Sequence, residues 1–265
     1  MSMSQQDRAL QIVPHVRRAA AHFAPERRGV ALTAGLPSPT VTRLTQAMRV
    51  IKHEHAALTV EEQGKRLMID IGGFTVLPEQ IAHVVAIVVT HEHPDHWTPE
   101  HLLRIQEVSP GARIFAPQGV ANAIAQNPAA DGIEVTVVSP GEELYVEPFT
   151  LRFFGGKHAV IHESMPVVDN VGVLVNETLY HPGDSYAVPE GVDVPLLAAP
   201  IGAPWLKVGE AMDFVLAVAP KTAFPIHEMT LSHLGQQMGH GRLAWATEQG
   251  SGTFVVLEPG EHLDT

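Results

Sequence analysis

The apolar positions change period along the chain. Between residues 4 and 24, Leu10, Ile12, Val13, Val16, Ala19, Ala20 and Phe23 recur at a rough 3.6-residue spacing. That spacing predicts a helix. Pro14 lies inside it and marks a kink or the true start. Residues 25–45 hold Pro25, Gly29, Gly35, Pro37 and Pro39 and read as loop. Residues 1–45 are thus set apart as an N-terminal extension, partly helical, and 46–265 as one folded domain. From Met48 onward the runs shorten to strand length. Arg49–His53, Ala56–Glu61 and Arg66–Ile71 predict strands, the last two joined by a turn at Gln63-Gly64. Pro78–His83 reads as a short helix. Val84–Val89 is a continuous apolar run rich in β-branched residues, the pattern of a strand buried on both faces.

The second half alternates the same two periods. Thr98–Glu107 predicts a helix, with Thr98 as N-cap and Glu100 in its first turn. Ala112–Ala116 and Glu134–Val138 predict strands around a helix at Gly119–Gln126. Glu143–Val146 with Thr150–Phe154, and Val171–Val175 with Thr178–His181, predict hairpins, the second turned at Asn176-Glu177. Leu196–Ala199 and Ala223–Pro225 predict short strands separated by a helix at Val208–Val218. Leu234–Glu248 predicts a helix and Thr253–Leu257 a last strand. Strand-rich halves with helices between them predict two sheets packed face to face with helices outside. This is a four-layer α/β/β/α sandwich of the α/β class.

Composition narrows the function more than the fold. The 265 residues include no cysteine, which removes disulfides and thiolate metal ligands. The longest apolar run is strand-length, far below the roughly 18–20 residues of a membrane-spanning helix. The polar start Met1-Ser-Met-Ser-Gln-Gln-Asp predicts no signal peptide, and hence the cytoplasm. A formal net charge of −12 and the lack of a basic stripe disfavour nucleic acid as a partner. The expected partner is a small-molecule substrate. The extension leaves room for a homo-oligomer interface. The 16 histidines nearly equal the 17 lysines and arginines. Histidine is the commonest metal ligand and the usual acid or base near neutrality.

Those histidines concentrate after the buried strand, in Thr90-His91-Glu92-His93-Pro94-Asp95-His96. In extended backbone, residues 91 and 93 point to one side and their imidazoles can share a metal ion. Asp95 and His96 then fall on a turn that Pro94 helps fix, and reach a second ion nearby. Imidazole and carboxylate donors without thiolate suit Zn, Mn or Fe.

The run His-x-His-x-Asp-His after a β-branched strand resembles the signature of the metallo-β-lactamase superfamily. The other elements of that resemblance follow in order. Met68-Ile69-Asp70-Ile71-Gly72 resembles the early strand ending in aspartate. Gly155-Gly156-Lys157-His158 resembles the third motif, His181-Pro182-Gly183-Asp184-Ser185 the Gly-Asp motif, and Phe224-Pro225-Ile226-His227 the final histidine. The match spans about residues 48–257. It implies one metal on His91, His93 and His158, another on Asp95, His96 and His227, and Asp184 bridging them with a water. It implies a dinuclear hydrolase whose metal-bridging hydroxide attacks an ester, lactone, amide or phosphodiester. Zn is the expected metal, with Mn or Fe as alternatives. Asp95 is the expected catalytic residue, orienting or deprotonating the nucleophile. Asp70 is expected to fix a ligand imidazole from behind. His93 stands where oxygen-reducing diiron relatives carry glutamate, which favours hydrolysis. His53-Glu54-His55-Ala56-Ala57 with Leu67–Asp70 also resembles the opening of the branch holding ascorbate-6-phosphate lactonase-like and N-acylphosphatidylethanolamine phospholipase D-like proteins. Here Glu54 replaces its usual glycine and Ile71 its usual proline.

Several residues admit two readings. His162 competes with His158 for the third motif, and His158 is favoured by its place at the strand end. His55 lines the pocket or bonds backbone. His181 is structural or supports the site. His233 reaches substrate or is simply exposed. Trp97 and Trp205 wall the pocket or belong to the core. Lys157 and Lys207 are placed to meet an anionic substrate or are simply solvated, the second reading being favoured. The rival functions are a nuclease of the same fold, a metal-binding protein without turnover, and a single-iron oxygen-using enzyme.

Overall fold

The structure is a computed structural model and describes residues 47–265. The predicted helix within 4–24 and the loop over 25–45 lie outside the described residues. The chain completes most of one sheet before starting the other. Strands β1 (Arg49–Lys52), β2 (Leu58–Glu62), β3 (Lys65–Ile69), β4 (Val84–Val88), β5 (Arg113–Ala116) and β6 (Val135–Val137) lie side by side in chain order. Strands β7 (Glu143–Val146), β8 (Phe149–Lys157), β9 (Asp169–Val175), β10 (Leu179–His181), β11 (Leu196–Pro200), β12 (Thr222–Ile226) and β13 (Thr253–Phe254) make the second sheet in the same manner. A last strand, β14 (His262–Asp264), returns to the first sheet and pairs antiparallel with β1. In each sheet the early strands pair antiparallel and the later ones parallel. The change follows from the connections. A tight turn allows only antiparallel neighbours, while a crossover is needed for parallel ones.

Helices α1 (Pro99–Val108), α2 (Gln118–Gln126), α3 (Val208–Val218) and α4 (His233–Gln249) form the outer layers. Val50, Leu67, Val88 and Phe115 of the first sheet meet Phe149, Phe153, Val173 and Phe224 of the second in one buried cluster. The other face of the first sheet, with Ile87 and Ile114, packs on Leu102 and Ile105 of α1 and on Val120 and Ile124 of α2. The other face of the second, with Leu174 and Leu197, packs on Phe214 of α3 and Leu243 of α4. The α/β/β/α sandwich is the observed architecture. β4 is buried along nearly its whole length because it lies between β3 and β5 and is covered on both faces. Thr98 caps α1 as expected, its side chain accepting from the His101 amide at 3.1 Å.

Two elements differ from expectation. Residues 78–83 form a turn, not a helix. Six residues with one buried anchor, Ile81, offer too few hydrogen bonds to offset helix nucleation. His83 instead turns left-handed at φ 61°, and its carbonyl accepts from the Arg66 amide at 3.0 Å. The strand expected at Thr253–Leu257 stops at Phe254, although the Val255 amide still bonds Ala223 O at 2.8 Å. Pro259 and Gly260 then turn the chain into β14, a strand whose three residues carry too little pattern to be read in isolation. No helix among the described residues is long and apolar enough to cross a membrane.

Candidate metal centre

Five strand ends converge on one point. Asp70 follows β3, the run from Thr90 follows β4, His158 follows β8, Asp184 follows β10 and His227 follows β12. Side chains just past the carboxyl ends of strands sit on rigid supports yet leave the sheet, which is where α/β proteins place ligands. Donor atoms of His91, His93, His158 and Asp184 all lie within 4.8 Å of one another. Those of His55, Asp95, His96 and His227 do the same. Asp184 also faces the second group. Its Oδ1 is 3.2 Å from His96 Nε2, and its Oδ2 is 3.0 Å from His227 Nε2, 3.4 Å from His158 Nε2 and 3.8 Å from His91 Nε2.

Backbone and neighbouring groups aim these side chains. His96 donates through Nδ1 to Asp70 Oδ2 at 2.8 Å, and this turns Nε2 toward Asp184. Asp70 in turn accepts from the Thr90 amide at 2.8 Å and the Thr90 hydroxyl at 2.7 Å. His227 Nδ1 donates to Gly202 O at 2.7 Å, which again frees Nε2. The Asp184 amide donates to Asn170 Oδ1 at 2.9 Å, and Asn170 Nδ2 donates to Pro182 O. Gly183 adopts φ 61°, and a Cβ there would stand 2.3 Å from Asn170 Oδ1. Trp205 Nε1 donates to Asp184 Oδ2 at 2.7 Å. His55, at φ 60°, directs Nε2 to Asp95 Oδ2 at 3.0 Å, and its carbonyl accepts from the His227 amide at 2.9 Å.

The charges follow from this crowding. Burial pushes the His91 imidazole well below its ordinary value, and the neighbouring His96 adds to it. Burial pulls His96 the same way, but Asp184 and Asp70 outweigh it and hold it well above. Burial likewise opposes ionisation of Asp184, yet the imidazoles around it, His96 first, keep its carboxyl well below the usual range. Asp95 is held at about 2, the His55 hydrogen bond overcoming its burial. Burial lowers His55 to about 4, so it donates to Asp95 as a neutral ring.

This arrangement fits metal ions. His158 Nε2 and Asp184 Oδ1 are buried without a hydrogen-bond partner. His91 Nε2 faces His93 Nδ1 at 3.1 Å, and His96 Nε2 faces His227 Nε2 at 3.4 Å. Two imidazole lone pairs at that range repel unless a proton or a cation lies between them. Nitrogen and carboxylate donors of this kind suit Zn, Mn or Fe rather than Ca or Mg.

The other sequence-predicted residues fall at varied distances from this point. His181 is fully buried, its Nε2 bonding Ala56 O at 2.8 Å and its Nδ1 accepting from the Gly183 amide. That makes it a support of the Asp184 turn. His162 is exposed and bonds Ser164, away from the cluster. His233 is exposed at the start of α4 and meets Gln237. Trp97 is a core residue whose Nε1 donates to Glu92 O. Glu92 directs its carboxylate toward Gly119 and Asp169, not toward the histidines. Lys157 pairs with Asp169 at 2.8 Å and Lys207 with Glu210 at 3.4 Å. Sequence reasoning passed over Asn170 and the Gly202 carbonyl. Asn170 carried no local signal, and a backbone acceptor carries none at all. For His55 the sequence leaves a pocket residue and a backbone partner as alternatives, and the structure groups it with the donors themselves.

Residues 49–227 match the model of the beta-lactamase superfamily domain. The Mycobacterium tuberculosis protein Rv0786c is 37% identical over 215 residues, covering 79% of this chain and 96% of that protein. A UPF0173 metal-dependent hydrolase of Pyrococcus abyssi is 29% identical over 231 residues, covering 79% and 96%. Igni18, a metallo hydrolase of Ignicoccus hospitalis, superposes with a TM-score of 0.62 at 17% identity, covering 83% of this chain and 99% of that one. That likeness is one of fold. With the domain match running from β1 to His227, through every strand end that meets at the centre, this chain belongs to the beta-lactamase superfamily domain family.

Proposed function

We propose that this chain is a metal-dependent hydrolase with a two-metal centre acting on a small ester, lactone or phosphodiester substrate. The observation that carries the reading is the Asp184 carboxylate, buried among four imidazoles that belong to two donor groups. His91, His93 and His158 would hold one ion, and Asp95, His96 and His227 the other, with Asp184 shared. Bound metals of this kind acidify a water toward neutrality and polarise the scissile bond. The residues of the chain then do the rest. Asp70 keeps the proton of His96 on Nδ1, and Gly202 O keeps that of His227 on Nδ1. Each ring thereby keeps Nε2 as the nitrogen that faces the centre, free to bind an ion once its proton to Asp184 is displaced. Trp205 Nε1–H holds Asp184 Oδ2 in place. Asp95, its Oδ2 engaged by His55, has Oδ1 left to orient the attacking water. A carboxylate held at about 2 stores a proton poorly, so orientation is its main part. His93 in the slot where diiron relatives carry glutamate, with Glu92 turned away, supports hydrolysis over oxygen chemistry. The net charge of −12 speaks against a nuclease.

The test combines metal analysis with a panel of esters, lactones and phosphodiesters. Protein purified without chelators should carry close to two transition-metal ions and hydrolyse at least one class. Asp184→Asn should lose most of both. A wild-type protein that binds neither added Zn nor Mn, or an Asp184→Asn protein with full metal and full activity, sinks the reading.

A further inference from the structure

Beside His93 and His158 the loop between β8 and β9 encloses a cavity of about 130 Å3. Its wall is made by Ile161, Met165, Val167 and Val168 together with those two imidazoles. The wall offers no lysine or arginine. Lys157, the cation next to His158 in the chain, is already tied to Asp169. Residues 159–168 contain one formally charged side chain, Glu163, and expose Val160 at 60%, Met165 at 48% and Val167 at 42%. Three large apolar side chains left exposed on one ten-residue loop point to something that covers them. An apolar cavity of about 150 Å3 holds a guest the size of benzene, so this one accepts a group of that order or slightly smaller.

We infer that this loop is the substrate's apolar subsite, taking an acyl or aryl group of up to about benzene size next to the reacting centre. The inference rests on the hydrolase reading for the word substrate, but the cavity and its lining stand apart from it. It makes the part of the substrate beside His93 and His158 uncharged, whatever charge the rest of the molecule carries. Pockets of this kind take their selectivity from area and shape, and fall off once the guest outgrows the wall.

The test uses the full chain loaded with Zn and four hydroxamates: aceto-, butyro-, benzo- and naphthohydroxamate. They share one metal-binding head and differ in the apolar tail. Affinity, read by calorimetry, should rise about fourfold for each methylene buried. Benzohydroxamate should bind at least about tenfold tighter than acetohydroxamate, and naphthohydroxamate should lose that gain. Val167→Asp and Met165→Asp, both at exposed positions, should keep the metal content and flatten the series. Equal affinity across the tails, or an unchanged gradient in both variants, overturns the subsite. A tail preference in a protein that hydrolyses nothing keeps the subsite and sinks the hydrolase reading. Failure of every hydroxamate to bind fully metal-loaded protein overturns the subsite as well.

Discussion

Asp70 is fully buried and belongs to neither donor group, yet it decides which nitrogen of His96 faces the centre. Its two oxygens accept three hydrogen bonds, from the Thr90 amide, the Thr90 hydroxyl and His96 Nδ1. Asp70→Asn would put an amide N–H where one of those bonds needs an acceptor. His96 would then favour the tautomer with its proton on Nε2, aimed at the metal position. Metal affinity should fall about 10–100-fold, read by competition with a chelator, with little change in secondary structure. Trp205→Phe keeps the ring packed near His158 and His227 but deletes the donor to Asp184. A hydrogen bond to a charged group contributes about 1.5–3 kcal/mol, so the variant's metal-bound form should unfold at lower denaturant. Protons compete with metal for the same lone pairs. Asp184 holds His96 and His227 above the ordinary imidazole value against the pull of burial, so metal uptake near neutrality must displace protons. Zn affinity should already drop as pH falls through the neutral range, above the ordinary imidazole value, and uptake in weak buffer should release acid. An affinity independent of pH across that range argues against imidazole ligation.

At the scale of elements, the turn after β10 is closely packed against the centre. Gly183 is left-handed, and its Cα lies so close to Thr90 and Asn170 that a Cβ would stand 2.8 Å from Thr90 Cβ. Gly183→Ala should therefore cost about 2 kcal/mol or more of stability, measured from the denaturant midpoint, through both backbone strain and contact. If Gly183→Ala is neutral, the turn has room that the structure denies. Most elements were legible beforehand because their apolar periods are local. The β4 run, the capped α1 and the hairpin at Asn176-Glu177, both left-handed at φ 49° and 51°, are examples. The turn at 78–83 was not legible, since its shape comes from long-range partners. Ser109 Oγ donates to Ile81 O and accepts from the Val84 amide, 25 residues or more away.

At the scale of the whole molecule, the first strand and the loop after the last ligand are joined by a buried ion pair. Lys52 Nζ donates to Glu228 Oε1 at 2.6 Å and to His53 O at 2.8 Å, and Glu228 Oε1 also accepts from the His55 amide. Both side chains are nearly out of water. Lys52→Met leaves a buried carboxylate unpaired and should destabilise by about 3–5 kcal/mol, whereas Lys52→Met with Glu228→Leu should recover most of that loss. Thermal unfolding of the two variants separates the outcomes, and equal instability in both would show that the pair does not act as a unit. The pair also holds His55 and His227, two left-handed residues whose rings lie 3.8 Å apart. By itself, the sequence determined the layer order and the buried central strand, and it pointed to residues 91–96 as candidate metal ligands, because period-2 patterns and the spacing of the His-x-His-x-Asp-His run act over a few residues. It also named His158, Asp184 and His227, but through resemblance to a family, not through any local force. Only the tertiary structure decided which nitrogen each ring presents, that His55 stands with Asp95 and His227, and that an apolar cavity adjoins His93. Those facts depend on hydrogen bonds and contacts between residues tens to hundreds of positions apart, made when two sheets bury their shared face and bring five strand ends to one place.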